Sequence, residues 1–504
     1  MQIQMIGHAS IFVETEDCKI LMDPILWDSH CEGIEDICPK RKVYHDQITE
    51  FDILIISHRH LDHFDIQSLA SLPKNVDVLI PQDKLMETCL GDLGYSQIYK
   101  LKDWSEVKIG STRLIATRSE NRVPEYGMLF TDPSGVFWNQ VDSVVSVETI
   151  RKVKSRYPQI DFLLAGWQPM LETQHQNNQP CSFPYAAYDQ ELKKISFIKP
   201  HSIAPGANGF KFIKGSSWLN KVVFPVTREQ FCRDVAIVCP EVGENIFPLN
   251  PGDVVTFKNA EVSYMKQKSS FVQMVEDDRY DLRFSPTNTD DCLIDDNSDN
   301  YDLEEMKQTI RSEICCNFPK FIKEKQDSLF IEYCHWKLIY QLEIVFPDET
   351  QQYYFDFSEE NIECHTGYNP LAHVFTSIAA SNFYGMSKGI KGWDSAHMGG
   401  YYRNFQKLYL PTPYGIIKPI EVNQENSSQV KDPLDLRFPY QEIFEKVRQY
   451  EVQRWKSSEV NPKVVQKDET KMLRIGNTLV RLSTNNNKVS TEEVTESLQL
   501  VGGK

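Results

Sequence analysis

The spacing of apolar and polar residues predicts a first domain that alternates strands and helices. Residues 51–58, FDILIISH, form a nearly continuous apolar run, which is typical of a strand buried on both faces. Residues 146–158, SVETIRKVKSRYP, show the apolar spacing of a helix. The connections between the strands are too short for a purely parallel doubly wound sheet. The pattern therefore predicts an α/β domain in which two sheets are sandwiched between helices.

The same pattern changes further along the chain and indicates a second, smaller domain. We expect the first domain to occupy residues 1–225. Residues 226–300 contain few strand-like pieces and many aspartates, and they are typical of a connecting segment and acidic linker. Residues 301–455 begin with a helical pattern and continue with paired strands, which predicts an α+β domain. Residues 456–504 are polar and are predicted to be a tail.

The amino-acid composition argues against two classes of binding partner, nucleic acids and membranes. The 504 residues include 71 acidic and 54 basic side chains, which gives a formal net charge of −17. Nucleic acid binding needs a basic surface, so we expect no nucleic-acid partner. The chain has no run of about 18 apolar residues, so we expect no membrane partner. Twelve scattered cysteines and an opening stretch without the pattern of a secretory signal predict a cytoplasmic protein with reduced thiols.

The residues that bear chemistry follow the strand predicted at 51–58. The stretch SHRHLDH puts three of the twelve histidines within six positions. His58 and His60 alternate along an extended segment, so both can face the same side, and Asp62 and His63 follow at the turn into a helix. Imidazole and carboxylate groups are the usual ligands of zinc, iron and manganese. The pattern predicts a site for one or two divalent metal ions.

The stretch SHRHLDH resembles the signature of the metallo-β-lactamase fold, an αββα sandwich with its metals at one edge. The opening GHASIFVET…ILMDP is similar to the first strands of the branch that includes ascorbate-phosphate lactonase. This resemblance implies that His58 and His60 bind one metal ion. It implies that Asp62 and His63 bind a second ion and act in the reaction. It also implies a bridging aspartate after a later strand, for which Asp142 in VFWNQVDS is the candidate.

Two histidines of the family pattern are missing, and other polar residues are candidates for their places. The loop RSENRVPEYG after one strand contains no histidine, and Ala207 stands where the last histidine belongs in IKPHSIAPGANGF. We expect Asp23 to orient a ligand histidine by bonding to the ring nitrogen that faces away from the metal. The candidates for ligand or pocket roles are His8, Glu120, Asn121, Glu125, His201 and Asn208.

Further segments are similar to the CMP-N-acetylneuraminate hydroxylases. These are FWNQVDS, LLAGWQPM and APGANGF in the first domain, and the paired strands followed by YYRNFQKLYLP in the second. Those enzymes carry a Rieske domain as electron donor. This sequence has no C-x-H and C-x-x-H pair, which is the Rieske signature. The resemblance therefore implies a hydroxylase that takes its electrons from a separate iron–sulfur protein.

The ligand set itself favours iron. Without a third histidine the first site consists of His58, His60 and Asp142, and two histidines with one carboxylate are the ligands of non-haem iron(II) oxygenases. We predict a metal-dependent oxidoreductase, an oxygenase or hydroxylase that acts on a small-molecule substrate. The alternative is a hydrolase of an ester, lactone or phosphoester that uses zinc or manganese. A third hypothesis is a scaffold that has lost catalysis.

Overall fold

The structure is a computed structural model of the chain. It describes residues 1–48, 50–171, 174, 182–285, 293–408, 410–417, 430–456 and 471–482. None of the helices within these ranges combines the length and the apolar character that crossing a bilayer requires. The helices are α1 Ile66–Ser71, α2 Lys84–Asp92, α3 Val147–Arg156, α4 Tyr185–Ile198, α5 Arg228–Val238, α6 Leu303–Ser312, α7 Phe318–Lys325, α8 Ile331–His335, α9 Ala380–Lys388, α10 Trp393–Met398, α11 Pro433–Arg437 and α12 Tyr440–Lys456.

The strands fall into an N-terminal set and a C-terminal set. The first set is β1 Gln2–Gly7, β2 Ser10–Glu14, β3 Lys19–Met22, β4 Glu35–Ile37, β5 Lys40–Val43, β6 Ile53–Ile55, β7 Asp77–Pro81, β8 Ile98–Leu101, β9 Glu106–Ile109, β10 Thr112–Arg118, β11 Tyr126–Asp132, β12 Gly135–Asn139, β13 Phe162–Ala165, β14 Ser202–Pro205, β15 Phe210–Phe212, β16 Val254–Lys258, β17 Glu261–Met265 and β18 Val272–Glu276. The second set is β19 Ile339–Val345, β20 Thr350–Asp356, β21 His365–Thr366, β22 Val374–Ala379, β23 Tyr402–Gln406, β24 Leu410–Thr412, β25 Gly415–Ile417, β26 Lys471–Ile475 and β27 Thr478–Leu482.

Two eight-stranded sheets pack face to face in the N-terminal part. Their strand orders are β17-β16-β1-β2-β3-β6-β7-β8 and β14-β13-β12-β11-β10-β9-β27-β26. Buried residues of both sheets, such as Ile55 and Phe130, form one core between them. Helices α1, α2 and α12 cover the outer face of the first sheet, and α3, α4 and α5 cover that of the second. The predicted sandwich of two sheets between helices is confirmed.

The segment at 226–300 differs from its prediction as a connection. β16 pairs with β1, with Val255 opposite Ile3, and β17 continues the same sheet as a hairpin. Asn259 and Ala260 turn this hairpin with φ of 52° and 64°, and Val255 is fully buried. A two-residue turn with positive φ matches the twist of paired strands, which explains why these weakly patterned residues form a hairpin. The segment therefore completes the first sheet.

The segment at 456–504 also contains structure where a polar tail is predicted. Residues 471–482 form a hairpin, and β27 pairs in parallel with β9 of the second sheet. Leu479 is 1 % exposed and joins the core between the two sheets. The physical reason is that Leu479 is buried, Met472 packs against the same core, and the pairing with β9 covers a strand edge.

Leu479→Ala is expected to destabilise the first domain. Removing a buried leucine side chain costs about 2–5 kcal/mol in the free energy of unfolding. Leu473→Ala is the matched control, because Leu473 lies on the neighbouring strand with 42 % of its surface exposed; its effect should stay within about 0.5 kcal/mol. Chemical denaturation followed by tryptophan fluorescence measures both. Equal effects of the two changes would contradict the position of the hairpin.

The C-terminal part is an α+β unit that packs against the first. A five-stranded sheet in the order β21-β20-β19-β22-β23 forms its core with α6 to α11. Phe444 and Val452 of α12 join the core beneath the outer face of the first sheet. Arg59, which lies between two predicted metal ligands, places its guanidinium 5.8 Å from the ring centre of Phe444. The C-terminal part thus reaches the edge where the predicted site lies.

Candidate metal centre

The predicted ligands meet at one edge of the sandwich. Strand β6 ends at Ile55, and the following loop carries the histidine cluster up to α1. The side chain of Asp65 accepts a hydrogen bond from the backbone N–H of Ser68 and caps that helix. Asp142 follows strand β12, and His8 lies in the turn between β1 and β2. Strand ends are rigid, so they can hold several side chains at one point.

Four side chains form the centre of the cluster, namely His8, Asp62, His63 and Asp142. Each offers one ligand atom, and these atoms all lie within 4.8 Å of one another. The Nε2 atom of His63 is 2.9 Å from Oδ2 of Asp142 and 3.4 Å from Oδ2 of Asp62. The Nε2 atom of His8 is 3.0 Å from the same Asp62 oxygen. Atoms that converge in this way can share one ion.

His58 and His60 adjoin this group. The Nε2 atom of His58 is 2.9 Å from Nδ1 of His60. The ring of His58 lies 4.2 Å from the ring of His63, measured between centroids. Nδ1 of His58 is 2.9 Å from the hydroxyl of Ser57, so its Nε2 is the atom that faces the cluster. The structure thus brings together all five residues that the sequence assigns to metal binding.

Asp23 holds the cluster from behind, as the sequence analysis expects. It is fully buried, and its Oδ2 is 3.0 Å from Nδ1 of His63. It also accepts hydrogen bonds of 2.7 Å from both the backbone N–H and the hydroxyl of Ser57. A carboxylate that binds the far nitrogen of a histidine fixes the ring and raises its basicity toward a metal. Asp23 therefore directs Nε2 of His63 toward the carboxylates of Asp62 and Asp142.

The charges of the cluster favour a bound cation. Burial alone would raise the pKa of Asp62, but His63 and His8 hold it well below its ordinary value. Burial opposes the charging of His63, yet the carboxylates of Asp62 and Asp142 raise its pKa well above the ordinary value. Burial, together with His63 and His60, lowers the pKa of His58, which keeps it in the neutral form that metals bind. The carboxylates of Asp62 and Asp142 attract positive charge and His58 is neutral, so the donor set fits a divalent ion.

Glu125 comes closest to filling the place of the missing third histidine. Its side chain is buried, accepts a hydrogen bond from the hydroxyl of Ser119, and accepts one of 2.9 Å from Nδ2 of Asn121. Burial raises the pKa of Glu125, and the charges of Asp142 and His60 act on it with opposite signs. Glu120 instead forms an ion pair with Arg118 at the surface. Asn121 thus positions Glu125, and Glu125 is the group that lies near the cluster.

The structure places the two candidates for the last histidine differently. His201 is exposed and precedes β14, beside the amino end of β13. The predicted metal ligand Asp142 follows the carboxyl end of the parallel strand β12, so His201 lies at the wrong end of the sheet. Asn208 follows the carboxyl end of β14 and lines a cavity of about 290 Å³. Of this pair only Asn208 approaches the site.

Two contributions to the site were not visible in the sequence. The backbone N–H of Gly209 donates a 3.1 Å hydrogen bond to Nδ1 of His8, which leaves Nε2 of His8 for Asp62. A Cβ atom at position 209 would lie 3.0 Å from the backbone of His8, so a glycine is needed there. Asp394 of α10 is the second contribution. Burial, and the nearby charge of Glu32, raise the pKa of Asp394 to about 6, and the charge of His60 acts against this rise.

Comparison with known proteins agrees with this geometry. Residues 2–143 match the family model of the β-lactamase superfamily domain. A 4-amino-L-phenylalanyl-[CmlP-peptidyl-carrier-protein] 3-hydroxylase of Streptomyces venezuelae is 27 % identical over 123 residues, which cover 23 % of this chain and 22 % of that protein. A Mycolicibacterium smegmatis protein, provisionally named a Rieske 2Fe-2S iron–sulfur protein, is 23 % identical over 188 residues, which cover 34 % of this chain and 36 % of that protein.

The similarity to these relatives is confined to part of each protein. The matched segments span 22 % and 36 % of the lengths of the two relatives. Among solved structures, an isothiocyanate hydrolase from Delia radicum gut bacteria is 17 % identical, covers 51 % of this chain and 100 % of that chain, and has a TM-score of 0.38. A score of this size supports no inference about function. The resemblance to CMP-N-acetylneuraminate hydroxylases stays a prediction.

Proposed function

We propose that this chain, whose residues 2–143 form a domain of the metallo-β-lactamase superfamily, is an iron-dependent oxygenase that hydroxylates a small molecule. One observation carries the proposal, the buried mixture of histidines and carboxylates at the site. Imidazoles of His58 and His60 adjoin a set that contains Asp62, His63 and Asp142. Such mixed sets, with few histidines per ion, are typical of non-haem iron and di-iron oxygenases.

In this proposal the side chains divide between two ions. His58 and His60 would hold one ion with Asp142. Glu125 lies close enough for its charge to interact with those of Asp142 and His60, so its carboxylate would contribute to the same ion. Asp62 and His63 would hold the second ion, with Asp142 between the two. Iron, when bound and reduced, supplies the activation of oxygen. The residues of the chain fix the positions of the imidazoles of His58 and His63 through Ser57 and Asp23.

The reaction needs electrons from outside the chain. Hydroxylation converts a C–H bond and O₂ to a C–OH group and water, and it consumes two electrons and two protons. The sequence contains no Rieske cysteine–histidine pairs. We therefore propose a separate iron–sulfur protein as electron donor. Two relatives support this, because one is named a hydroxylase and the other is provisionally named a Rieske iron–sulfur protein.

The C-terminal domain predicted at 301–455 would form one wall of the substrate pocket. Arg59 lies between His58 and His60 in sequence, and its Nη1 is 3.4 Å from the side-chain oxygen of Gln441 on α12. Asp394 belongs to the same domain and is close enough to His60 for their charges to interact. A substrate at the metal cluster would therefore contact side chains from both domains.

A hydrolase is the second candidate, and one observation favours it. His8, Asp62, His63 and Asp142 already converge within 4.8 Å as a compact set of two histidines and two carboxylates. Zinc accepts such a set, and a metal-bound water there would attack an ester, a lactone or a phosphoester. This reaction would need neither oxygen nor electrons.

The identity of the bound metal is the first test. The full chain, purified from cells grown without added metals, is expected to contain one or two iron ions per chain. The reason is the carboxylate-rich donor set, which suits iron better than a second well-held zinc. Elemental analysis by plasma mass spectrometry measures the content. Zinc alone, at two ions per chain, would favour the hydrolase, and a chain without metal would favour an inactive scaffold.

A further inference from the structure

A second group of side chains of the kinds that bind metal ions lies in the loop after β3 and at the first residue of β4. His30, Cys31 and Glu35 offer one ligand atom each, and these atoms lie within 4.8 Å of one another. All three are buried, with exposed fractions of 3 %, 5 % and 0 %. The group shares no residue with the cluster around Asp62 and His63.

The backbone of the loop is folded so that these side chains converge. His30 and Glu35 face each other as a β-bridge pair, with a 2.9 Å hydrogen bond from the N–H of His30 to the carbonyl of Glu35. Facing residues of a bridge project to the same side. Cys31 and Glu32 both have positive φ, of 49° and 55°, which makes the loop tight enough to bring Cys31 next to the pair. A thiol, an imidazole and a carboxylate are thereby held together without solvent.

The polar atoms of the pair lack hydrogen bonds. Both ring nitrogens of His30 and both carboxylate oxygens of Glu35 are buried, and none has a hydrogen-bond partner among the described residues. The closest approach, from Nε2 of His30 to Oε2 of Glu35, is 3.4 Å, which allows attraction between charges but does not have hydrogen-bond geometry. Buried polar groups without partners are costly, and four such atoms at one point are rare in native proteins. A ligand at this point would remove that cost.

We propose that His30, Cys31 and Glu35 bind a divalent ion of the zinc type. Imidazole, thiolate and carboxylate together are ligands that zinc and its spectroscopic substitute cobalt accept. An ion can reach the site, because His30 and Cys31 line a cavity of about 710 Å³ that also borders Asp65, Arg448 and Glu451.

The ion would fix the loop through which the first domain contacts the C-terminal part of the chain. Glu32 belongs to the same loop, and its Oε2 accepts a 2.9 Å hydrogen bond from the backbone N–H of Gly392. Its Oε1 is 3.1 Å from a guanidinium nitrogen of Arg448 on α12. Both partners are in the C-terminal part of the chain. Binding at His30, Cys31 and Glu35 would thus hold Glu32 in the position from which it contacts that part.

Cobalt titration of the full chain tests this site separately from the proposed oxygenase centre. The oxygenase centre contains no cysteine, so thiolate-to-cobalt charge-transfer absorption in the near ultraviolet reports only a site with a cysteine ligand. We expect the chelator-treated wild-type chain to develop this absorption and to reach a plateau at the intensity of one thiolate-bound cobalt ion per chain, whatever further cobalt the other centre takes up. His60→Ala should keep it, since His60 belongs to the other centre. Absence of the absorption from the wild-type chain would overturn the proposal.

Three variants identify the ligands. Cys31→Ser should lose the charge-transfer absorption, and Glu35→Gln should weaken cobalt binding by about tenfold or more, as expected for a direct ligand. Cys364→Ser is the matched control, because its sulfur lies 3.4 Å from that of Cys315 and the two form the best competing thiol site. Circular dichroism checks that each variant folds. If Cys31→Ser does not fold, the Glu35→Gln titration tests the site in its place. Absorption retained in Cys31→Ser or lost in Cys364→Ser would contradict the assignment.

Discussion

His60→Ala is expected to lose most of the metal from the proposed centre, with an affinity for iron lower by about tenfold or more, since losing even the hydrogen-bond partner of a metal ligand has an effect of this size. The imidazole of His60 lies beside that of His58, with 2.9 Å between Nδ1 of His60 and Nε2 of His58. Loss of one nitrogen ligand also leaves His58 without its neighbour. Metal content after purification, and titration of the chelator-treated chain with iron(II), measure the effect.

His201→Ala is the matched control for that loss. Both changes remove one imidazole, but His201 is exposed at the amino end of β14, away from the cluster. We expect its metal content and its affinity for iron to equal those of the wild-type chain. Equal metal content in His60→Ala and His201→Ala would contradict the assignment of the metal ligands. A loss of metal in His201→Ala would show that the sheet end is assigned wrongly.

The site could be predicted from sequence wherever the ligands are close together along the chain. His58, His60, Asp62 and His63 lie within six positions after an apolar strand, and a strand end followed by a capped helix can present them in only a few ways. Asp142 required the resemblance to a family, because one aspartate after a strand has no distinctive pattern. The αββα arrangement was predictable for a similar reason, since long buried strands with short connections restrict the layers available.

Contacts between distant parts of the chain could not be predicted. Asp394 reaches the surroundings of His60 from more than 300 positions away, and Gly209 orients His8 across about 200. No local pattern of apolar residues records such contacts. The hairpin with Leu479 was missed because its strands are only five residues long within a polar segment, and its pairing with β9 is what buries the leucine. Tertiary packing, and not the local propensity for strand or helix, determines where these residues lie.

The choice of Glu125 needed both the sequence and the structure. The sequence left three candidates in the loop where a third histidine is absent, and it could not choose among them. The structure separates them by partner, since Glu120 pairs with Arg118 and Asn121 donates its amide to Glu125. A buried carboxylate in this position adds negative charge near Asp142. That charge favours two divalent ions at the site over one.

Oxygen uptake is expected to separate the oxygenase from the hydrolase. The full chain, loaded with iron and reduced anaerobically with dithionite, should consume oxygen once, in proportion to its iron, and then stop. Continued uptake should require a reduced iron–sulfur protein, because the 504 residues contain no cysteine–histidine pairs of the Rieske type. The zinc-loaded chain should consume no oxygen at all. An oxygen electrode measures each condition.

Asp142→Ala is the decisive variant in this experiment, and Asp189→Ala is its matched control on the exposed face of α4. Asp142 lies 2.9 Å from Nε2 of His63 and is the carboxylate expected to join both ions, so its loss should abolish the stoichiometric oxygen uptake, whereas Asp189→Ala should behave like the wild-type chain. The same preparations, tested without oxygen on p-nitrophenyl acetate and p-nitrophenyl phosphate, should show no metal-dependent turnover. Anaerobic hydrolysis by the zinc- or manganese-loaded chain, lost in Asp142→Ala and kept in Asp189→Ala, would overturn the oxygenase and establish the hydrolase. That outcome follows because hydrolysis needs only an acidified metal-bound water and neither oxygen nor electrons.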